Sequence, residues 1–126
     1  MIDFEKFKML DNNFWENKRV LITGHTGFKG SWLTLWLNYL GASICGFSKD
    51  DDDDGFNFFK LLNIGSKIEH HVDDISNSRK LTKIVEGFQP EIIFHLAAQP
   101  LVRRSYKEPF LTWSTNVMGT SNPQIL

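Results

Sequence analysis

The chain has a single cysteine, Cys45, so it holds no intrachain disulfide, and the apolar stretch around it predicts a buried, inert thiol. Long hydrophobic runs are also missing. The most apolar window, Trp32 to Leu40, is far shorter than the roughly 20 residues a bilayer requires, so no membrane segment is expected. The opening residues Met1-Ile2-Asp3-Phe4-Glu5-Lys6 mix charges and have neither the apolar centre nor the cleavage site of a secretion signal, which makes the cytoplasm the expected location. No charge of one sign dominates. Fourteen Lys and Arg stand against 15 Asp and Glu, which argues against a nucleic-acid partner. Five of those acids lie together from Asp50 to Asp54, and without them the rest of the chain carries a surplus of about four positive charges, which suits an anionic ligand.

Apolar residues make up 41% of the chain, with 11 Phe and 4 Trp, enough to build the core of one domain. Arg19 to Thr23 is short, apolar on both faces and rich in β-branched residues, as in a buried parallel strand. Leu33, Trp36, Leu37 and Leu40 then fall at i, i+3, i+4 and i+7 and predict a helix whose core face they form, stopped by Gly41. Ser43 to Ser48 reads as a second strand. Lys49 to Gly55 reads as a solvated loop, because adjacent carboxylates repel one another, and Phe56 to Leu62 reads as a short helix or apolar patch. Lys67 to Asp73 predicts a third strand with His70 and His71 on opposite faces, both structural or surface groups, and no metal site is expected. Asn77 caps a helix carrying Leu81, Ile84, Val85 and Phe88, which Gly87 and Pro90 stop. Glu91 to Leu96 is the fourth strand, and a last helix begins near Pro109. This alternation predicts an α/β fold with a parallel sheet.

The chemistry is concentrated at the first strand's end. Gly24-His25-Thr26-Gly27-Phe28-Lys29-Gly30 follows a predicted strand and opens a predicted helix, the context that turns a glycine triplet into a dinucleotide signature. Gly24 permits the sharp turn, Gly27 lets the backbone approach a pyrophosphate, and Gly30 lets the helix pack tightly on the sheet. Free N–H groups at the helix start then face the phosphates. Lys29 stands either near the phosphates and nicotinamide or as a solvated helix-start lysine. Phe28-Lys29-Gly30-Ser31 is not the end of an NTP-binding loop, because the required Gly-Lys pair is absent.

With a three-three glycine spacing, the motif resembles the short-chain dehydrogenase/reductase superfamily. Asp74-Ile75 resembles its Asp-apolar pair, where the carboxylate reaches the adenine. His95-Leu96-Ala97-Ala98-Gln99 resembles the segment that lines the cofactor, and Asn116-Val117-Met118-Gly119-Thr120 the helix whose Asn supports the active site. Phe14 to Val20, Thr23 to Leu33, Gln89 to Arg103 and Ser105 to Thr120 narrow the likeness to the CDP-glucose 4,6-dehydratase family, within the extended epimerase/dehydratase group. The resemblance implies a Rossmann-type doubly wound sheet, of which this chain supplies four strands in the order 3-2-1-4. It implies NAD as cofactor, CDP-glucose as substrate of the full-length enzyme, and a homo-oligomer. The implied reaction is redox-neutral: C4 of the sugar is oxidised, water is lost across C5 and C6, and hydride returns to C6. Its setting is deoxysugar biosynthesis for lipopolysaccharide O-antigen.

The family's Tyr-x-x-x-Lys pair is not present. Tyr39 and Tyr106 both lack a lysine four residues on, so residues 1–126 read as the N-terminal part of the NAD-binding domain, with 1–18 as a lead-in and no catalytic residue beyond the supporting Asn116. Turnover by this chain alone is not expected. The tail Ser121-Asn122-Pro123-Gln124 departs from the family's apolar helix, and Pro123 is expected to remove a helix hydrogen bond and clash with the preceding turn. Where NAD-selective proteins place an acid after the second strand, this chain has Ser48-Lys49, with Asp50 next, which leaves NADP open. Two alternatives stand beside the dehydratase: another nucleotide-sugar epimerase or dehydratase of the extended family, and a non-catalytic dinucleotide-binding module.

Overall fold

The computed structural model describes residues 13–49 and 57–124. Four strands, β1 (Arg19–Thr23), β2 (Ser43–Ser48), β3 (Glu69–Val72) and β4 (Ile92–His95), form one parallel sheet in the order β3-β2-β1-β4. This is the expected 3-2-1-4 arrangement. The acidic run Asp50–Asp54, Phe56 and most of the lead-in lie outside the described residues.

β1 is central because its side chains are apolar on both faces. Leu21 packs with Cys45, Phe47, Ile75, Leu81 and Ile84 on one side. Val20 and Ile22 pack with Leu37, Ala42 and Ile44 on the other. Each fully buried aliphatic side chain contributes about 1.5–3 kcal/mol, so these two clusters outweigh the weak intrinsic preferences of four- to six-residue strands.

α1 (Phe28–Tyr39) follows β1, and of its four predicted apolar positions Leu37 is buried in the core and Leu33 packs against the same cluster. The other buried residues of the helix are the small Gly30, Ser31 and Thr34. Trp36 is 58% exposed, so it is no core residue. The reason is spatial: the helix starts so close to the turn after β1 that small side chains are needed there, and the large apolar ones move outward. Trp32 stacks on Phe58 of the short α2 (Phe58–Leu61), with ring centroids 4.4 Å apart.

A 3-10 turn (Ile64–Lys67) leads into β3. α3 (Ser78–Phe88) is capped as predicted, the Asn77 side chain accepting from the Lys80 N–H. Its terminator is Gln89 in the left-handed region at φ 52, not Gly87, which lies inside the helix. After β4 comes a helix absent from the sequence reading, α4 (Val102–Lys107). α5 (Pro109–Trp113) begins at Pro109, as expected, and runs through a π-helical stretch (Ser114–Met118) into α6 (Gly119–Gln124). Pro123 does not stop this helix; it sits buried in the last turn, where only one preceding carbonyl loses its N–H partner. Among the described residues no helix is long and apolar enough to cross a membrane.

Candidate dinucleotide site

The turn after β1 is built by steric exclusion. Gly24 has φ +75, and a Cβ there would lie 2.7 Å from the backbone of Leu96 and Ala97 after β4. A Cβ on Gly30 would run into the Gly24 carbonyl oxygen and approach the His25 Cα at 2.8 Å. Both positions therefore exclude any side chain. The turn is held by Gly24 N–H donating to the Phe47 carbonyl at 2.9 Å and Gly27 N–H donating to the Gly24 carbonyl at 3.2 Å. Thr26 Oγ1 and Ser48 Oγ, 2.7 Å apart, tie the turn to the end of β2.

A groove of about 620 Å³ opens over the carboxyl ends of the strands. Ligands of open α/β sheets bind at that place, where the strand order reverses between β1 and β4. Gly24, Thr26, Gly27, Ser48, Asp74, Ile75, Leu96, Ala97, Ala98 and Gln99 line it. Of the other sequence-nominated residues, Gly30 is packed beneath the turn, Phe28 (75% exposed) and Lys29 stand at the exposed start of α1, and His25 turns inward. The structure adds Phe47, Lys49, Arg104, Leu111 and Thr115 to the lining. Arg104, paired with Glu108 at 2.6 Å, arrives on α4, a six-residue helix without the periodicity that would have announced it.

His25 is fully buried, its Nε2 2.7 Å from Nδ1 of His70, and its ring fills the space left by the absent side chain of Gly46. Burial, reinforced by His70, pushes its pKa down to about 4. The unfolded chain takes up this proton near the ordinary value of 6.5, so stability is full above that pH and falls as pH drops toward 4. The loss should approach about 3 kcal/mol from this group alone. Chemical denaturation from pH 7 to 4 checks this, and His25→Phe should flatten the dependence across that window.

Asn116 reaches across from the π-helical stretch to the extended segment after β4. Its Oδ1 accepts the Gln99 N–H at 2.7 Å, and its Nδ2 donates to the Gln99 carbonyl at 3.1 Å. That two-point clamp fixes the backbone that floors the groove. Asn116→Ala should cost about 1–3 kcal/mol, read as a lowered melting temperature, because both partially buried Gln99 groups lose their partner.

A second set of contacts was not legible in the sequence. Thr120 Oγ1 donates to the Asn116 carbonyl at 2.6 Å, so it accepts from His95 Nε2–H at 3.0 Å. His95 Nδ1 then accepts from the Thr23 hydroxyl at 2.6 Å. Burial lowers the His95 pKa, consistent with this neutral tautomer. The chain of contacts ties β1 and β4 to α6, and the register that pairs Thr23 with His95 creates it.

Fold and groove together define a unit of the Rossmann type, a parallel sheet with flanking helices and a groove over the carboxyl ends of its strands. The chain belongs to the GDP-mannose 4,6-dehydratase family, whose model matches residues 21–122. It is 51% identical to a CDP-glucose 4,6-dehydratase of Salmonella typhimurium over 112 residues, covering 89% of this chain and 31% of that protein. A UDP-glucose 4-epimerase of Mycolicibacterium smegmatis is 37% identical over 102 residues, covering 81% of this chain and 32% of its own length. Among solved structures, the epimerase Mth375 of Methanothermobacter thermautotrophicus superposes with a TM-score of 0.75 at 27% identity, covering 90% of this chain and 32% of that one. The UDP-glucose 4-epimerase of Thermus thermophilus, solved in complex with NAD, gives 0.69 at 26% identity, covering 82% and 32%. The chain thus spans about a third of the length of the curated relatives it matches.

Proposed function

We propose that this chain is the cofactor-binding part of a CDP-glucose 4,6-dehydratase and that its groove holds NAD. The observation that carries the reading is the glycine turn itself. Gly24 and Gly30 admit no side chain, and Gly27, with only the Gly24 oxygen at 3.4 Å from a built Cβ, leaves the groove side open for a pyrophosphate. The groove volume suits a ligand of this size, and the likeness to the Salmonella dehydratase covers 89% of this chain.

The residues have separable tasks. Backbone N–H groups at the start of α1 would meet the pyrophosphate, and the groove-lining Asp74 and Ile75 would hold the adenine end while Leu96 to Gln99 would face the nicotinamide. Asn116 holds that wall in place. When bound, NAD would supply hydride removal from, and return to, the sugar, so that the net change would be a dehydration across C5 and C6 of CDP-glucose. The proton-transferring Tyr and Lys belong to sequence outside these 126 residues. Tyr39 and Tyr106 are 86% and 83% exposed, neither lines the groove, and neither has a lysine four residues on. Homo-oligomer formation and a cytoplasmic location belong to the same reading.

The test is an activity assay with CDP-glucose, UDP-glucose and GDP-mannose on the complete gene product and on this chain. The reading expects 4-keto-6-deoxy product from CDP-glucose with the complete product and none with this chain. Epimerised UDP-glucose instead would assign the protein to the epimerase branch.

A further inference from the structure

Cys45, Glu69 and His71 converge on the face of the sheet opposite His25. β2 and β3 are parallel with Cys45 in register with Glu69, so the two side chains leave the sheet on the same side, and His71 follows two residues later on that side. One ligand atom from each, the Sγ, a carboxylate oxygen and a ring nitrogen, all lie within 4.8 Å of one another. Glu69 Oε1 and His71 Nε2 are 2.7 Å apart, while Cys45 is fully buried beneath them and the other two are partly open to solvent.

We propose that these three side chains form a binding site for one divalent cation of the zinc class. Thiolate, imidazole and carboxylate make the mixed S/N/O donor set that such an ion takes in four-coordinate geometry, with water in the fourth place. Ligand bonds of about 2.0–2.3 Å put tetrahedral ligands about 3.3–3.8 Å apart. The cluster meets that spacing by a small inward rotation and by opening the Glu69–His71 hydrogen bond around the ion. Without a cation, the Cys45 thiol is disfavoured as an anion by burial first and by the Glu69 carboxylate second, which push its pKa up to about 12. A divalent ion between sulfur and carboxylate reverses both effects, and the thiol proton leaves to solvent as the metal–sulfur bond forms. The site would tie β3, the edge strand, to β2.

The site does not depend on the dinucleotide reading, and its test is separate. Co²⁺ is titrated into the full chain as probe, and the single cysteine makes any thiolate-to-cobalt charge-transfer band assignable to Cys45. Expected are that band, strong visible absorption of a four-coordinate ion at one equivalent, its displacement by Zn²⁺, and a raised melting temperature with Zn²⁺. Cys45→Ser should abolish the charge-transfer band. Glu69→Gln and His71→Ala, both at less buried positions, should weaken binding at least tenfold while keeping the far-UV circular dichroism. No charge-transfer band in the folded protein overturns the proposal, and so does a band unchanged by Glu69→Gln and His71→Ala. Weak, six-coordinate absorption alone, as carboxylates give, also overturns it.

Discussion

Gly30→Val should abolish dinucleotide binding and destabilise the chain by about 3 kcal/mol or more. The first Cβ atom already runs into the Gly24 carbonyl oxygen and the His25 backbone, and valine adds two methyl groups at the tightest contact between α1 and the sheet. Overpacking in a close-packed interior costs about 1–3 kcal/mol where side chains can adjust. Here the neighbours are backbone atoms, which cannot rotate aside. Relief requires α1 to lift off the turn, and that carries the N–H groups at its start away from the groove. Stability and binding should therefore fail together. Calorimetric melting and NAD⁺ titration of the variant read the two losses separately. A variant that melts like the parent and binds NAD⁺ with unchanged affinity would show that α1 does not approach the turn this closely.

Phe47→Ala is expected to cost about 3–5 kcal/mol, the range for truncating a buried aromatic residue. Phe47 is fully buried beside Leu21, Cys45, Ile75 and Leu81, and although it borders the groove it exposes no surface to it. Small domains are stable by only about 5–15 kcal/mol in total, so this one truncation removes a large share of the folding free energy. The Phe47 carbonyl, which accepts the Gly24 N–H, is unaffected by the side-chain change. Any NAD⁺ binding that survives in the folded fraction should then keep near-parental affinity. This separates the second variant from the first: Gly30→Val damages the site directly, and Phe47→Ala acts through the folded population. Urea titration monitored by circular dichroism measures the loss.

The strands were legible because both their faces are buried, so the apolar runs at 19–23 and 43–48 carry no competing signal. The glycine turn was legible because backbone sterics leave glycine alone at 24 and 30. The inner face of α1 was legible only at Leu33 and Leu37, for a related reason. Hydropathy treats Trp36 as core, whereas the close approach at the turn selects Ser31 and Thr34 for burial and leaves Trp36 outside. α4 was missed because Val102 to Lys107 is six residues long, too short to show periodicity. The Thr23–His95 and His95–Thr120 contacts join residues 72 and 25 positions apart, and a separate cluster brings Cys45 to Glu69 and His71 across two strands. They exist only once strand register is fixed, and a single sequence carries no direct record of register.

That β4 ends the sheet among the described residues also has a consequence. Its Ile93 is 38% exposed, and Phe110, Trp113 and Met118 on the following helices are more so. An open apolar strand edge beside exposed aromatic side chains favours association, and concentration-dependent light scattering of the chain should report it.

The central claim, that the groove above Gly24, Gly27 and Gly30 is a dinucleotide site, is tested most directly by isothermal titration of NAD⁺ into the folded protein, with Gly30→Val as the reference. The account predicts saturable binding at one site per chain, lost in the variant. Absence of saturable heat from the parent protein, or equal binding by parent and variant, would contradict it.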